Sequence, residues 1–182
     1  MTRFSSPKPQ ITRTQWITQT ALFLALALVL PIGLHALGGL SGRVFLPMHI
    51  PVLLGGFLVG PASGLVVGLL APTLGHLMTG MPPAYAVPLM SMELPMYGLV
   101  AGLAYNRLKI NIYVALVIAL IVGRLMFGLG LVVLGLFMDL PYDAVVFFST
   151  GGPLVAGLPG IVIQLFLIPV LVAAVRRRRI RT

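Results

Sequence analysis

The stretch IYVALVIALIVGRLMFGLGLVVLGLF, residues 112–137, decides the fold class of this chain. Arg124 is its only charged side chain. A helix needs about 20 predominantly apolar residues to cross the hydrocarbon core of a bilayer, which is about 30 Å thick. The stretch is long enough for that, and we predict a membrane-spanning helix here.

The composition of the whole chain agrees with this interpretation. Of 182 residues, 59% are hydrophobic and 8% are charged, the net charge is +9, and the mean hydropathy is +1.08. Soluble domains have about 45–50% apolar and about 25% charged residues. These values exclude a soluble enzyme, a disordered chain and a conventional nucleic-acid-binding protein. The chain has no cysteine, so disulfides and thiol chemistry are excluded as well. We predict an integral membrane protein.

Prolines and glycines divide the apolar sequence into candidate spans, because proline lacks the N–H that a helix needs and glycine tolerates turn geometry. The second and third spans are short, and a re-entrant hairpin is the alternative for them. We predict an all-α protein, a transmembrane bundle of six helices, with spans at residues 16–34, 48–59, 64–79, 88–105, 112–137 and 153–175.

Basic residues predict the orientation, since loops rich in Lys and Arg stay in the cytoplasm. With six spans, ten of the twelve basic residues fall on one side. We therefore predict cytoplasmic N- and C-termini in a prokaryotic cell membrane. Residues 1–15 form an N-terminal tail, 16–175 the membrane domain and 176–182 a basic tail. The outer loops hold the remaining charges outside the spans, Arg43, Asp139 and Asp143.

Motifs for catalysis are absent from the sequence. It has no phosphate-binding loop of the type G-x-x-x-x-G-K-[ST], no G-x-S-x-G elbow and no H-E-x-x-H pair. We expect a protein that is not an enzyme, has no ATPase site of its own and needs no cofactor.

Two ionisable residues, Glu93 and Arg124, lie inside predicted spans, where a charge is costly and marks a functional site or a structural pair. One hypothesis is a ligand site, with Arg124 binding an anionic group and Glu93 a group rich in donors. The other is a mutual salt bridge that needs no ligand. The two hypotheses are compatible, because a pair can open to a ligand.

Other polar side chains gather in the outer half of the predicted bundle, whereas the inner half has little besides Gln164. A channel needs polar lining along its whole length, so this asymmetry favours ligand capture from outside. Helical spacing adds Met90 and Tyr97 to the face of Glu93, and Phe127 to that of Arg124. The predicted substrate-binding residues are Arg124, Glu93, Tyr97, Met90, His49, His76, Phe127 and Tyr85.

Four stretches carry a resemblance to a known family: FLPMHIPVLLGGFLVGP (45–61), GLVVGLLAP (64–72), LMTGMPP (77–83) and MELPMYGLVAG (92–102). The chain resembles the substrate-binding S components of energy-coupling factor (ECF) transporters, in the group that includes folate and pantothenate components. The resemblance covers roughly residues 15 to 175.

The resemblance implies a mechanism and partners. S components capture a vitamin from outside, dock on a membrane T component with two cytoplasmic ATPases, and topple to release the substrate inside. An Ala-x-x-x-Ala step on the first span meets the T component, and here it is Ala21 and Ala25. Arg124 favours a carboxylate-bearing vitamin by charge-assisted bonding, although a neutral vitamin held by Glu93 and aromatic rings is also compatible.

Three alternatives remain open. One is a scaffold protein in which Glu93 and Arg124 only pair with each other, and another is a small carrier or channel that works without ATPases. The third is a metal transporter, since nickel and cobalt S components use an N-terminal Met-His. Here Met48-His49 is internal and lacks the free amine, which leaves only the imidazoles of His35, His49 and His76 as ligands. We expect no metal site.

Overall fold

The structure is a computed structural model that describes residues 12–35, 46–138, 140 and 157–181. All regular secondary structure in these residues is helical, as predicted. A π-helix, Leu103–Arg107, continues the fourth helix. The predicted loop charges Arg43, Asp139 and Asp143 lie outside the described residues, as do the first residues of the predicted sixth span. The described residues contain six α-helices, α1 Arg13–His35, α2 His49–Leu58, α3 Pro61–Thr79, α4 Ala86–Gly102, α5 Ile112–Gly135 and α6 Leu158–Arg181.

Five of these helices are long and apolar enough to cross a membrane, and α2 is the exception. With ten residues, α2 is only about 15 Å long. Among the described residues, the structure therefore gives five candidate spans, and the second predicted span, residues 48–59, is the short helix α2. Pro47 limits any extension of α2 towards the N-terminus, because the residue before a proline is disfavoured in helical geometry. Leu46 has a positive φ of 49° instead.

Two glycines end helices at the predicted breaks. Gly60 has a φ of 136° between α2 and α3, and Pro61 then occupies the first position of α3. Gly80 has a φ of 71° and closes the C-terminus of α3, where its N–H donates to the carbonyl of His76. Glycine adopts such φ values without a steric penalty. The first glycine thus makes α2 and α3 a tight helical hairpin.

Glycines also let α3 and α4 pack closely. A Cβ atom on Gly64 or Gly98 would overlap the backbone of the other residue, and one on Gly68 would overlap the backbone of Leu94 and Pro95. Membrane helices use small residues in this way because lipid gives no hydrophobic driving force for their association. Gly64, Gly68 and Gly98 therefore form a packing surface, and α3 and α4 form the most tightly joined pair.

The remaining helices surround this pair. α1 packs against α2 and α3, where Thr20 donates a buried hydrogen bond of 2.9 Å to Ser63. α4 packs against α2 and α5 as well as α3, whereas α6 packs mainly against α2 and α5. The helices α2, α4, α5 and α6 therefore form a ring, in which each helix packs against its two neighbours.

Basic residues mark one end of the bundle, where α2 and the π-helix end and α5 begins. Here the guanidinium of Arg176 donates to the side-chain oxygen of Asn106 (2.8 Å) and to the carbonyl of Phe57 (3.3 Å). Arg176 also lies 4.3 Å from the ring centre of Tyr105. We call this the basic end. The helix α6 continues through the predicted basic tail to Arg181.

Candidate functional site

Four buried side chains meet inside the helix ring. The carboxylate of Glu93 lies 2.9 Å from a terminal guanidinium nitrogen of Arg124 and accepts a 2.6 Å hydrogen bond from the hydroxyl of Tyr97. His49 Nε2 lies 3.9 Å from the other carboxylate oxygen, and the rings of His49 and Tyr97 are 5.1 Å apart. We call these four residues the polar cluster.

Each helix positions its part of the cluster by simple spacing. Glu93 and Tyr97 are four residues apart on α4, so they lie one above the other on the same face. Arg124 lies at the middle of α5. His49 is the first residue of α2, so the short length of this helix brings the imidazole to the depth of Glu93.

The cluster is almost fully shielded. Glu93 is 2% exposed and Tyr97 is not exposed at all. The Arg124 side chain is 12% exposed. The sequence left open whether Glu93 and Arg124 pair, and the structure pairs them. The charge of Arg124 is therefore balanced within the protein before any ligand arrives.

Several atoms of the cluster retain unused bonding capacity. Both ring nitrogens of His49 and Nε of Arg124 are buried and make no hydrogen bond to any residue that the structure describes. The 3.9 Å separation of His49 Nε2 from Glu93 exceeds hydrogen-bond length. Buried polar atoms are normally satisfied, so the cluster has the chemistry of a site that receives polar groups from a ligand.

A glycine fixes the position of the Tyr97 ring. A Cβ atom on Gly123 would overlap three ring carbons of Tyr97. Gly123 directly precedes Arg124 on α5. The same short segment of α5 therefore supplies the cation for Glu93 and the space for the tyrosine that donates to it.

Comparison with family models identifies the chain. The model of the ECF transporter, substrate-specific component, matches residues 15–172. The chain belongs to this family. The match confirms the resemblance at the level of the family, whose members are substrate-binding subunits of transporters, and it agrees with a multi-pass membrane protein. A comparison with curated protein sequences gives no match.

The other predicted binding residues of this substrate-specific component lie on the same helices or at their ends. Met90 lies one turn before Glu93 on α4 and packs against the main apolar core. Phe127 lies one turn after Arg124 on α5 and packs with Leu89 and Leu131. Tyr85 directly precedes α4 and is half-buried.

His76 has a structural partner. Its Nδ1 lies 2.8 Å from the carbonyl oxygen of Pro82, so the ring bridges the turn between α3 and α4. His35 is the last residue of α1. In the part of the chain that the structure describes, no three His, Asp or Glu side chains are grouped so that they could hold a metal ion.

The predicted partner-binding step lies on the outside of this component. Ala21 and Ala25 are both exposed on α1, which is the least buried of the five long helices. The exposed alanines leave a shallow surface where another helix can approach closely.

The sequence alone does not indicate the hydrogen bonds of Arg176 or the depth of Gln164. The bonds of Arg176 to Asn106 and Phe57 join residues far apart in the sequence, and no local pattern indicates them. The sequence predicts Gln164 in the inner half of the bundle. In the structure α6 begins at Leu158, so Gln164 lies about 9 Å from the start of that helix. A single amide in an otherwise apolar span was the available signal.

Proposed function

We propose that this substrate-specific component is the substrate-capture subunit of an ATP-driven ECF importer in a prokaryotic cell membrane. Its substrate is a vitamin or a related small molecule. The observation that carries the proposal is the buried polar cluster, which combines an ion pair with unused hydrogen-bonding atoms inside a member of this family.

The basic end is the cytoplasmic end in this proposal. Arg107, Lys109 and Arg176 lie there, as expected from the retention of basic residues in the cytoplasm. Glu93 is seven residues, or about 10 Å, from the start of α4 at the opposite end. The cluster then lies in the outer half of the bundle, where it can take substrate from outside.

Packing below the cluster supports capture rather than free passage. Towards the basic end the core consists of apolar side chains that are not exposed, among them Leu53, Phe57, Ala101 and Leu116. A channel needs polar lining along its length. Release to the cytoplasm therefore requires a movement of the whole subunit, which docking on the T component and the two ATPases would drive.

The identity of the vitamin depends on how it uses Arg124. Folate and pantothenate carry carboxylates that suit a guanidinium. In this protein such a carboxylate would compete with Glu93, which already pairs with Arg124 at 2.9 Å. A neutral vitamin would bind beside the ion pair and use the remaining atoms of the cluster.

A scaffold protein is the second candidate, and the Glu93–Arg124 pair favours it, because an internal ion pair can join α4 and α5 without any ligand. The unused nitrogens of His49 favour the transporter, since a purely structural cluster gains nothing from unsatisfied buried atoms. A carrier without ATPases is tested by reconstituting the chain alone.

The first experiment is purification in detergent, followed by mass spectrometry of small molecules that co-purify. Direct binding of folate, pantothenate, biotin, riboflavin and pyridoxine is then measured by calorimetry. Tight binding of one compound supports capture. A protein that carries no small molecule and binds none of them is the result expected of a scaffold.

Docking is tested by Ala21→Trp, which fills the exposed alanine surface of α1. We expect loss of co-elution with the T component and ATPases, because a large side chain prevents close helix approach, and unchanged substrate binding. Leu125→Trp is the control, as Leu125 is 59% exposed on α5. Normal ATP-dependent uptake by the Ala21 variant would refute the docking surface.

A further inference from the structure

Gln164 on α6 is a buried amide with no role in the polar cluster as described. It is not exposed at all, and neither its amide nitrogen nor its amide oxygen bonds to any of the described residues. Nearly all buried side-chain amides have partners. With respect to the described residues, this amide therefore has one acceptor and two donor hydrogens that remain for another molecule.

The height of Gln164 in the bundle matches that of the cluster. Gln164 precedes Arg176 by twelve residues, and Glu93 precedes Asn106 by thirteen. Arg176 and Asn106 are hydrogen-bonded at the basic end, so they define a common level. At the helical rise, Gln164 and Glu93 both lie about 18–20 Å from that level. Arg124, twelve residues into α5, lies at a similar height.

The orientation of α6 turns Gln164 into the ring. Ile168 and Val172, at intervals of four residues from Gln164, are also unexposed and belong to the main core. Phe166 and Val170 on the other side are 74% and 63% exposed. Because α6 packs mainly against α2 and α5, the inward face carries Gln164 towards the helices that hold His49 and Arg124.

The balance of charge in the ring indicates what these groups recognise. Glu93 and Arg124 neutralise each other. In the part of the chain that the structure describes, buried atoms without a hydrogen bond remain on the Arg124 Nε, the Ser91 hydroxyl, the His49 imidazole and the Gln164 amide. The imidazole and the amide can each donate and accept hydrogen bonds. The substrate group that complements the imidazole and the amide is uncharged and carries a hydrogen-bond donor next to an acceptor.

We infer that Gln164 is a substrate-binding residue, and that with His49 it recognises an uncharged amide-like or urea-like edge of the substrate. The inference rests on the proposed capture function. It adds α6 to the helices that form the site, and it names the chemistry of the substrate group that binds there. Substrate selection then depends on this edge, which binds beside the Glu93–Arg124 pair.

The test compares Gln164→Met, which keeps the shape of the side chain without its hydrogen bonds, with the wild type. Biotin, riboflavin, folate and pantothenate are the probes, because each carries an amide-like or urea-like edge. The probe that the wild type binds most tightly is titrated into both proteins by calorimetry. We expect at least about tenfold weaker binding by the variant, as a buried partner on the substrate loses its bond.

Thermal unfolding without probe provides a second measurement. The variant should unfold at the same temperature as the wild type or higher, because it removes an unsatisfied buried amide. Gln164→Leu repeats both measurements with a different shape, and Ile168→Val controls for packing on the same face. Unchanged affinity in both Gln164 variants, or a lower unfolding temperature in both, would overturn the inference. Failure of the wild type to bind any probe would instead contradict the capture function itself.

Discussion

The molecule contains two polar networks at different depths, and they differ in how completely their hydrogen bonds are used. At the basic end, the Asn106 amide donates to the carbonyls of Gly56 and Phe57 and accepts from Arg176. Arg176 also stacks on Tyr105. In the polar cluster, by contrast, His49 and Arg124 retain buried nitrogens without a bond to the described residues.

We propose that this difference separates structural polar groups from those that bind substrate. The Asn106 network satisfies carbonyls at the end of α2, which have no helical partners of their own, and so joins α2, the π-helix and α6. An unsatisfied buried group costs about 1–3 kcal/mol. A polar cluster that retains such groups loses stability, and in the proposed capture function the binding of a substrate offsets that loss.

The largest effect is expected from the ion pair. Either single variant, Glu93→Leu or Arg124→Leu, leaves one charge buried without its partner and should destabilise the protein by about 3–5 kcal/mol. The double variant should recover most of this stability, because apolar side chains can replace a buried ion pair at little cost. The double variant, like the two single variants, should not bind substrate. Unfolding in detergent and calorimetric titration measure the two effects.

The double variant decides whether the Glu93–Arg124 pair only joins α4 and α5 or also belongs to the substrate site. A stable double variant with wild-type affinity would show that the pair only joins α4 and α5. A stable double variant without binding would place the pair in the substrate site.

A smaller effect is expected from Gly123→Ala. The added methyl group overlaps the ring of Tyr97, and overpacking of this kind costs about 1–3 kcal/mol. The ring must move, and its hydrogen bond to Glu93 is lost, so substrate affinity should fall about tenfold or more. Gly135→Ala on the same helix is the matched control, since nothing lies within 4 Å of its added Cβ. Equal substrate affinity of the two variants would show that substrate binding does not depend on the position of the Tyr97 ring.

The smallest effect on binding is expected at the basic end. Asn106→Leu removes the bonds to Gly56 and Phe57 and should lower the free energy of unfolding by about 1–3 kcal/mol, with unchanged substrate affinity. Arg107→Gln, a change at the exposed neighbouring residue, is the control. If Asn106→Leu abolished binding while leaving stability intact, the division of the two networks into structural and functional would be wrong.

Much of the fold follows from the sequence because its signals are local. Gly60-Pro61 and Gly80 end helices where they were expected to, since their backbone preferences act on single residues. The bounds of α2, His49–Leu58, also lie within one residue of the predicted 48–59, because Pro47 and Gly60 limit the helix on either side.

Part of the candidate site could be predicted from the sequence, because charged residues are rare inside apolar spans. Glu93 and Arg124 are the only Asp, Glu, Lys or Arg residues inside the predicted spans, and helical spacing adds Tyr97 to the face of Glu93. The depth of Gln164 depends on where α6 begins, and the partners of Asn106 depend on which helix ends meet. Hydropathy and periodicity do not contain this information, because the depth of Gln164 and the partners of Asn106 are set by contacts between distant parts of the chain.

The short length of α2 has a consequence for biogenesis. A helix of about 15 Å cannot cross the hydrocarbon core, and the polar backbone groups at its buried start need protein around them. It is joined to α3 through the single tight turn at Gly60. Insertion of α2 into the bilayer is therefore coupled to that of α3, and the histidine at its start reaches its final depth only when this hairpin has docked against α4.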